Sequence, residues 1–253
     1  MTSLANASHV ASALSVVDIL ATIYEGTANI SASNLNDPSR DIIILSKGHA
    51  AAALYSVLAL KRFFPIEWLE KYCQDDAFLG GHVTSKDVPG VELSTGSLGH
   101  GLPYGLGIAL SRKLSNIEGK TIVIMSDGEC DEGTTWESAL LANHHDLTHL
   151  IVIVDRNRIQ SLASTEETLK LEPFDEKWKS FGWEVRSIDG HNYEDLASAI
   201  TKDSKHPVCI IAETIKGKGI DFMENTVLWH YKSLEENELQ EALSILESNL
   251  NEK

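Results

Sequence analysis

The chain has 253 residues, 43% of them hydrophobic and 23% charged, ordinary figures for a globular protein able to bury a sizeable core. Its formal net charge of −16 makes nucleic acid and anionic lipid poor partners, and any anionic ligand needs a local device to overcome the global field. Three scattered cysteines without a CxxC pair indicate a reducing compartment. With no export signal in MTSLANASHV and no apolar run near the ~20 residues of a membrane span, a cytoplasmic location is expected.

Helical periodicity over residues 10–24 opens the chain, followed by an apolar run at 41–46 (DIIILS) and a second helical stretch at 50–63. Residues 98–114 read as a helix, 121–127 (TIVIMSD) as a strand, 135–145 as a helix and 149–155 (HLIVIVD) as a strand. A strand at 185–189 (VRSID), a helix at 193–201, a strand at 207–214 (PVCIIAET) and a helix at 234–246 complete the series. Cys73 falls in a helix-like stretch and Cys209 in an apolar run, so both are expected in or near the core. Runs apolar on both faces suit strands buried between helical layers. The alternation predicts one α/β domain over residues 1–253, a three-layer, doubly wound and mostly parallel sheet.

In such sheets ligands bind beyond the carboxyl ends of the strands, which directs attention to the residues just after each run. Lys47-Gly48-His49 comes after the first, Asp127-Gly128-Glu129 after the second, Arg156-Asn157-Arg158-Ile159 after the third and Lys216-Gly217-Lys218-Gly219 after the last. Asp127 and Asn157 stand 30 residues apart, room for one helix and a return strand, so a right-handed crossover sets their strand ends side by side. One carboxylate, one amide oxygen and a backbone carbonyl are too few to cage a cation alone. They suit Mg²⁺, which keeps waters and takes other ligands from phosphates. Gly128 lets a phosphate approach the backbone at the start of a helix. Taken singly, Asp-Gly reads as readily as a polar turn, and His9, His82 and the KGKG run as structural features. The glycines between 99 and 107 follow no strand and lack the spacing of a dinucleotide loop.

Taken together and in order, these segments resemble the transketolase family. Ser126-Asp127-Gly128-Glu129, Glu132-Gly133, Trp136-Glu137 and Asp155-Arg156-Asn157 look like its thiamine diphosphate motif, with Ser126 where the family has glycine. By this resemblance Asp127, Asn157 and the Ile159 carbonyl hold Mg²⁺ (or another divalent cation), while Gly128 and Glu129 lie near the diphosphate. The segment from Leu45 to Ala51 resembles the family's histidine loop, placing His49 on the diphosphate. Thr95-Gly96-Ser97-Leu98-Gly99 resembles the loop that cradles the cofactor through Gly96, Ser97 and Leu98. Ser8-His9-Val10-Ala11-Ser12 resembles the first channel motif, with His9 and Ser12 in place and Val10 for proline; Gly81-His82 resembles a second. Lys216 and His230, in a late loop ending Trp229-His230, are expected to reach the phosphate and the reacting carbons. His100, where the family more often has Gln, takes no role, and His144, His145 and His149 are expected to be structural or exposed.

The resemblance implies a thiamine diphosphate-binding fold and the transfer of a two-carbon ketol unit from a ketose (phosphate) to an aldose. His9, His82 and His230 would shuttle protons and hold hydroxyls, and Glu132 would be a second-tier acid toward a neighbouring subunit. Its alternative is a helix-start charge favoured by the dipole. The family's pyrimidine-binding and C-terminal domains find no counterpart in this sequence. They are expected on a separate C-terminal subunit, in an α₂β₂ assembly with the sites at the subunit interface. Two rivals are the α subunit of a thiamine-dependent 2-oxo acid dehydrogenase and a non-catalytic paralogue that stabilises an active partner. The late Trp-His and KGH segments fit the first less well, and retention of Asp127, Asn157, His49 and His230 argues against the second.

Overall fold

The computed structural model describes residues 1–251. Five strands, β1 (Ile42–Leu45), β2 (Thr121–Ser126), β3 (Leu150–Arg156), β4 (Glu184–Asp189) and β5 (Val208–Glu213), form one sheet in the order β1-β2-β3-β5-β4. Every pairing is parallel. Helices α1 (Val10–Thr22), α2 (Ala51–Leu60), α3 (Gly101–Ser115), α4 (Gly133–His144), α5 (Thr165–Thr168), α6 (Phe174–Ser180), α7 (Tyr193–Thr201) and α8 (Glu236–Asn251) account for the α-helical segments among the described residues.

Strand alternation sorts the core into two layers. Ile43, Leu45, Ile122, Ile124, Ile151, Ile153, Val208 and Ile210 face a cluster with residues of α1, α2 and α7. Ile44, Val123, Met125, Val152, Val154, Cys209 and Ile211 face the other, with α3, α4 and α6. Both faces of β2, β3 and β5 are therefore dry, whereas β4 is an edge strand with partly exposed residues. A smaller third cluster packs α8 and the 220–234 segment over the start of α1.

The expected elements are present, with shifted ends. The helix expected from residue 98 begins at Gly101, and that expected over 234–246 runs Glu236–Asn251. Two short helices, α5 and α6, stand between β3 and β4 where no element is expected; α6 is anchored by buried Phe174 and Trp178. Cys73 departs from expectation. It is exposed, at φ 58° in a turn, while Cys130 and Cys209 are buried. One stretch, Val10–Thr27 (α1 and a π-helical turn), is long and apolar enough to cross a membrane, with mean hydropathy 1.3. Over half of it is buried inside this protein, against α2 and α7, as a core helix requires.

Candidate active site

Ser126 of β2 pairs with Asp155 of β3, so the two strand ends are neighbours and the residues just beyond them meet. A cavity of about 390 Å³ opens beyond the carboxyl edge of the sheet, within the usual size of a small-molecule site. His9, Ser12, His49, His82, Gly96, Leu98, Asp127, Gly128, Asn157, Ile159, Lys216 and His230 all line it. Segments from opposite ends of the chain, from His9 to His230, thus share one cavity, as the fold's edge rule requires.

Asp127 is buried and both of its carboxylate oxygens accept hydrogen bonds. Its Oδ1 accepts from Gly128 N at 2.7 Å, and its Oδ2 accepts from Arg158 N at 2.7 Å and Arg156 Nη1 at 3.2 Å. Burial pushes its pKa up; the Arg156 guanidinium pulls it back. Asn157 Oδ1 accepts from Ile159 N at 3.1 Å, and the Ile159 carbonyl accepts from Lys216 Nζ at 3.1 Å. Ser126, in the family's glycine position, accepts from Glu129 N at 3.2 Å. Its hydroxyl is thereby tied to the 3₁₀ turn after β2, and the residue lines the cavity.

Four imidazoles crowd the opposite wall. His9 lies 5.3 Å from His49, 5.7 Å from His82 and 5.0 Å from His230, centroid to centroid. His9 sits in the left-handed region (φ 72°) at the α1 N-cap, and its side chain makes no capping hydrogen bond. Burial lowers the pKa of His9 to about 4 and of His230 to about 3, with Lys216 repelling the cation of each; His82 also opposes the charge on His9. His49 falls well below its usual value for the same reason, with Lys47 adding to it. These three rings are neutral at pH 7. Lys216 is lowered to about 8 by burial and then Lys47, and its ammonium lies 2.6 Å from His230 Nδ1. An ammonium can only donate, so Nδ1 accepts and the imidazole proton sits on Nε2.

Behind this wall is a buried bracket. Lys47 and Asp155 pair with side chains fully out of water, and Asp155 also accepts from Ser15 and Thr214. Burial acts to raise the Asp155 pKa, but the Lys47 ammonium and these hydroxyls hold it below the ordinary range. The bracket ties α1, the loop after β1, the β3 tip and the end of β5 together.

Three expected site residues lie elsewhere. Glu129 is fully buried and does not line the cavity; its carboxylate accepts from Ser46 Oγ and from Gly99 N. It joins the β1 tip to the glycine loop and touches no cavity surface, because the 3₁₀ turn points it into the protein. Ser97 is exposed in an adjoining shallow depression with Thr95, His100 and Tyr104. Glu132 is exposed at the N-cap of α4, outside the cavity, a place that suits both an acid facing a neighbouring subunit and a helix-start charge. Conversely, Gln160, Ser161 and Tyr231 line the cavity without having been expected there. Only the position of Tyr231 next to His230 could have pointed to it.

The residues fit a magnesium diphosphate. Among the described residues no three His, Cys, Asp or Glu side chains gather as a metal cage. The oxygens of Asp127, Asn157 and Ile159, which line one cavity, would hold a cation only with further ligands brought by the guest, as Mg²⁺ takes from a diphosphate. His9 Nδ1 is buried with no partner within the protein, and a Cβ at Gly96 would come within 3.3 Å of the His82 ring. The cavity thus keeps a polar atom and a bare backbone for a guest.

Residues 1–252 match the family described as transketolase, thiamine diphosphate binding domain. The chain is 39% identical over 242 residues to the 6-deoxy-6-sulfo-D-fructose transketolase subunit SqwG of Clostridium sp. (strain MSTE9), covering 94% of this chain and 88% of that protein. It is 40% identical over 241 residues to an apulose-4-phosphate transketolase subunit of Actinobacillus succinogenes, covering 94% and 87%. Among solved structures, the transketolase of Campylobacter jejuni superposes with a TM-score of 0.91 at 30% identity over 98% of this chain, which spans 40% of that longer one. On this fold, this site and these matches, the chain belongs to the transketolase family and corresponds to its thiamine diphosphate binding domain.

Proposed function

We propose that this chain is the N-terminal subunit of a two-component transketolase, holding thiamine diphosphate through Mg²⁺ and passing a two-carbon ketol unit from a ketose (phosphate) to an aldose. A single domain over residues 1–253 supplies the diphosphate half of the site. A C-terminal subunit with the pyrimidine-binding domain supplies the other half, in an α₂β₂ assembly. The observation that carries this reading is the adjacency of the β2 and β3 tips, which brings Asp127 and Asn157 into one cavity with four histidines. Relatives of nearly the same length are named subunits. Scattered free cysteines support a cytoplasmic setting.

When bound, thiamine diphosphate supplies the carbanion chemistry that breaks and makes the carbon–carbon bond. The chain's residues bind and orient. Asp127, Asn157 and the Ile159 carbonyl hold Mg²⁺, while His49, Lys216 and the backbone at Gly128 receive the diphosphate; Gly96 and Leu98 form the adjoining wall, with Ser12 beside it. His9, His82 and His230 face the space left for the sugar. His230 can donate a hydrogen bond from Nε2 to a substrate oxygen, and can pass that proton on as its Nδ1 takes one from the Lys216 ammonium; neutral His9 can accept a hydroxyl proton at Nδ1 if its own proton sits on Nε2. Tight placement in a partly dry cavity strengthens each of these bonds.

The test uses the chain with its partner subunit, thiamine diphosphate and Mg²⁺. Two-carbon transfer from a ketose to an aldose is expected, with no turnover of a 2-oxo acid by a dye acceptor. Asp127→Ala should abolish metal-dependent cofactor binding in calorimetry. Unchanged binding would refute the metal assignment, and absence of cofactor binding by the unmodified pair would leave a non-catalytic stabilising role.

A further inference from the structure

Lys216 is 1% exposed, yet its ammonium reaches the Ile159 carbonyl and His230 Nδ1 at the cavity. So long a side chain is aimed by its backbone, and that backbone is held from both sides. Gly217 N donates to Ala11 O at 3.0 Å, and Asn225 N donates to the Lys216 carbonyl at 2.9 Å. On the other side Ile215 N donates to a side chain, His191 Nε2, at 2.8 Å.

His191 is not part of the cavity. It sits in the turn between β4 and α7, whose own backbone is fixed by Gly190 N donating to Glu213 O and His191 N to Asp189 Oδ1, both at 2.8 Å. Its ring spans a gap between elements distant in sequence, with Nδ1 2.7 Å from Asp18 Oδ2 on α1. The imidazole is 11% exposed, whereas the Asp18 side chain is 44% exposed. A backbone N–H can only donate, so Nε2 is the acceptor and the ring proton lies on Nδ1, directed at the carboxylate. The arrangement fixes one tautomer. Asp18 lies on α1, whose N-cap is His9 and whose first turn carries Ser12, so one pair of side chains braces both α1 and the Lys216 segment.

We propose that His191 and Asp18 form a positioning pair that sets the Lys216 backbone, and through it the aim of the Lys216 ammonium into the cofactor cavity. Neither residue touches the cavity; both act through Ile215. The proposal rests on the reading of Lys216 as a diphosphate ligand, and experiment can separate the two.

The tautomer is measurable without any ligand. Imidazole ¹⁵N shifts of the full chain should show His191 with its proton on Nδ1 and a bare Nε2; a proton on Nε2 overturns the pair, whatever the chain binds. Its effect on the site is read as the dissociation constant for thiamine diphosphate at fixed Mg²⁺, in the complex with the partner subunit. His191→Phe removes the acceptor and should weaken binding by about tenfold, the order expected for one buried hydrogen bond. His191→Gln, whose side-chain oxygen can stand where Nε2 stands, should recover most of that loss. The decisive comparison is a double-mutant cycle. If His191 acts through Lys216, His191→Phe adds nothing to the loss caused by Lys216→Met. Additive losses, or a His191→Phe complex that binds like the unmodified one, overturn the proposal. A Lys216→Met complex that binds normally refutes the role given to Lys216 and leaves the tautomer result standing.

Discussion

Burial alone favours a neutral acid at Asp127, and the Arg156 guanidinium, 1% exposed, is the nearest charge opposing it. Arg156 also bonds Thr165 and Glu172, joining the β3 tip to α5 and the segment beyond. Arg156→Met should destabilise the chain by about 3 kcal/mol in urea unfolding without divalent cations, because it strands a buried carboxylate. Mg²⁺ should then stabilise the variant more than the unmodified chain, as a replacement counter-charge. An unchanged urea midpoint would contradict this. The histidines set a pH dependence of definite sign. His9 and His230 are lowered from 6.5 to about 4 and about 3 by burial, so below 6.5 the unfolded chain takes up protons that the folded one refuses. Their contribution is full above 6.5 and is lost as pH falls through the folded values. In the ligand-free chain, His9→Asn should gain in urea midpoint relative to the unmodified protein as pH is lowered from 6.5 to 4. A constant difference across that window would rule out the burial of a neutral ring as its cause. At this scale the sequence identified chemistry better than direction. Asp127 and Asn157 were legible because each follows a strongly patterned strand, whereas the histidines, His82 in a loop among them, were legible only through the order of segments shared with the transketolase family. The inward turn of Glu129 onto Ser46 and Gly99 depends on a 3₁₀ turn that carries no periodic signal.

α3 contains a contrast that sequence alone does not reveal. Gly105 and Gly107 are two residues apart in one helix, and each lowers its intrinsic helix propensity. A Cβ at Gly105 would meet Val123 Cγ2 at 2.5 Å, since here the helix lies directly on β2; at Gly107 it would meet nothing within 4 Å. Gly105→Ala should therefore cost about 1–3 kcal/mol through overpacking. Gly107→Ala should stabilise the isolated chain by about 0.5–1 kcal/mol. Thermal unfolding of the two variants checks both signs, and stabilisation by both would show that helix propensity, not the helix-to-sheet distance, governs this face. The same reasoning explains which elements were legible. β2, β3 and β5 are apolar on both faces because helices cover both sides, so their runs stand out. α6 has seven residues, too few to establish a helical period, and rests on Phe174 and Trp178 packing into the second core layer. Propensity would not hold so short a helix without those contacts.

The whole molecule is acidic, yet the cavity edge displays apolar groups. Leu162 is 84% exposed beside cavity-lining Ser161, Leu228 is 63% exposed two residues before His230, and Tyr231 at the cavity is 60% exposed. Tyr231 packs its ring 4.7 Å from His230 and 5.5 Å from His9. Single exposed leucines are ordinary, but three large apolar groups around one open polar cavity are a costly surface unless something covers them. A partner subunit seated there would desolvate the rim and, by excluding water, strengthen every charge interaction beneath it. Leu162→Asp tests this at the scale of the assembly. The substitution lies on a loop and removes no core contact, so the lone chain should unfold at the same temperature as the unmodified one. Its dissociation constant for the partner, measured by titration, should rise at least tenfold, because a carboxylate would be buried without a counter-charge. Native mass spectrometry of the unmodified pair should give two copies of each subunit. If Leu162→Asp assembled with unchanged affinity, the partner would have to approach from another side and the cavity mouth would remain open to water.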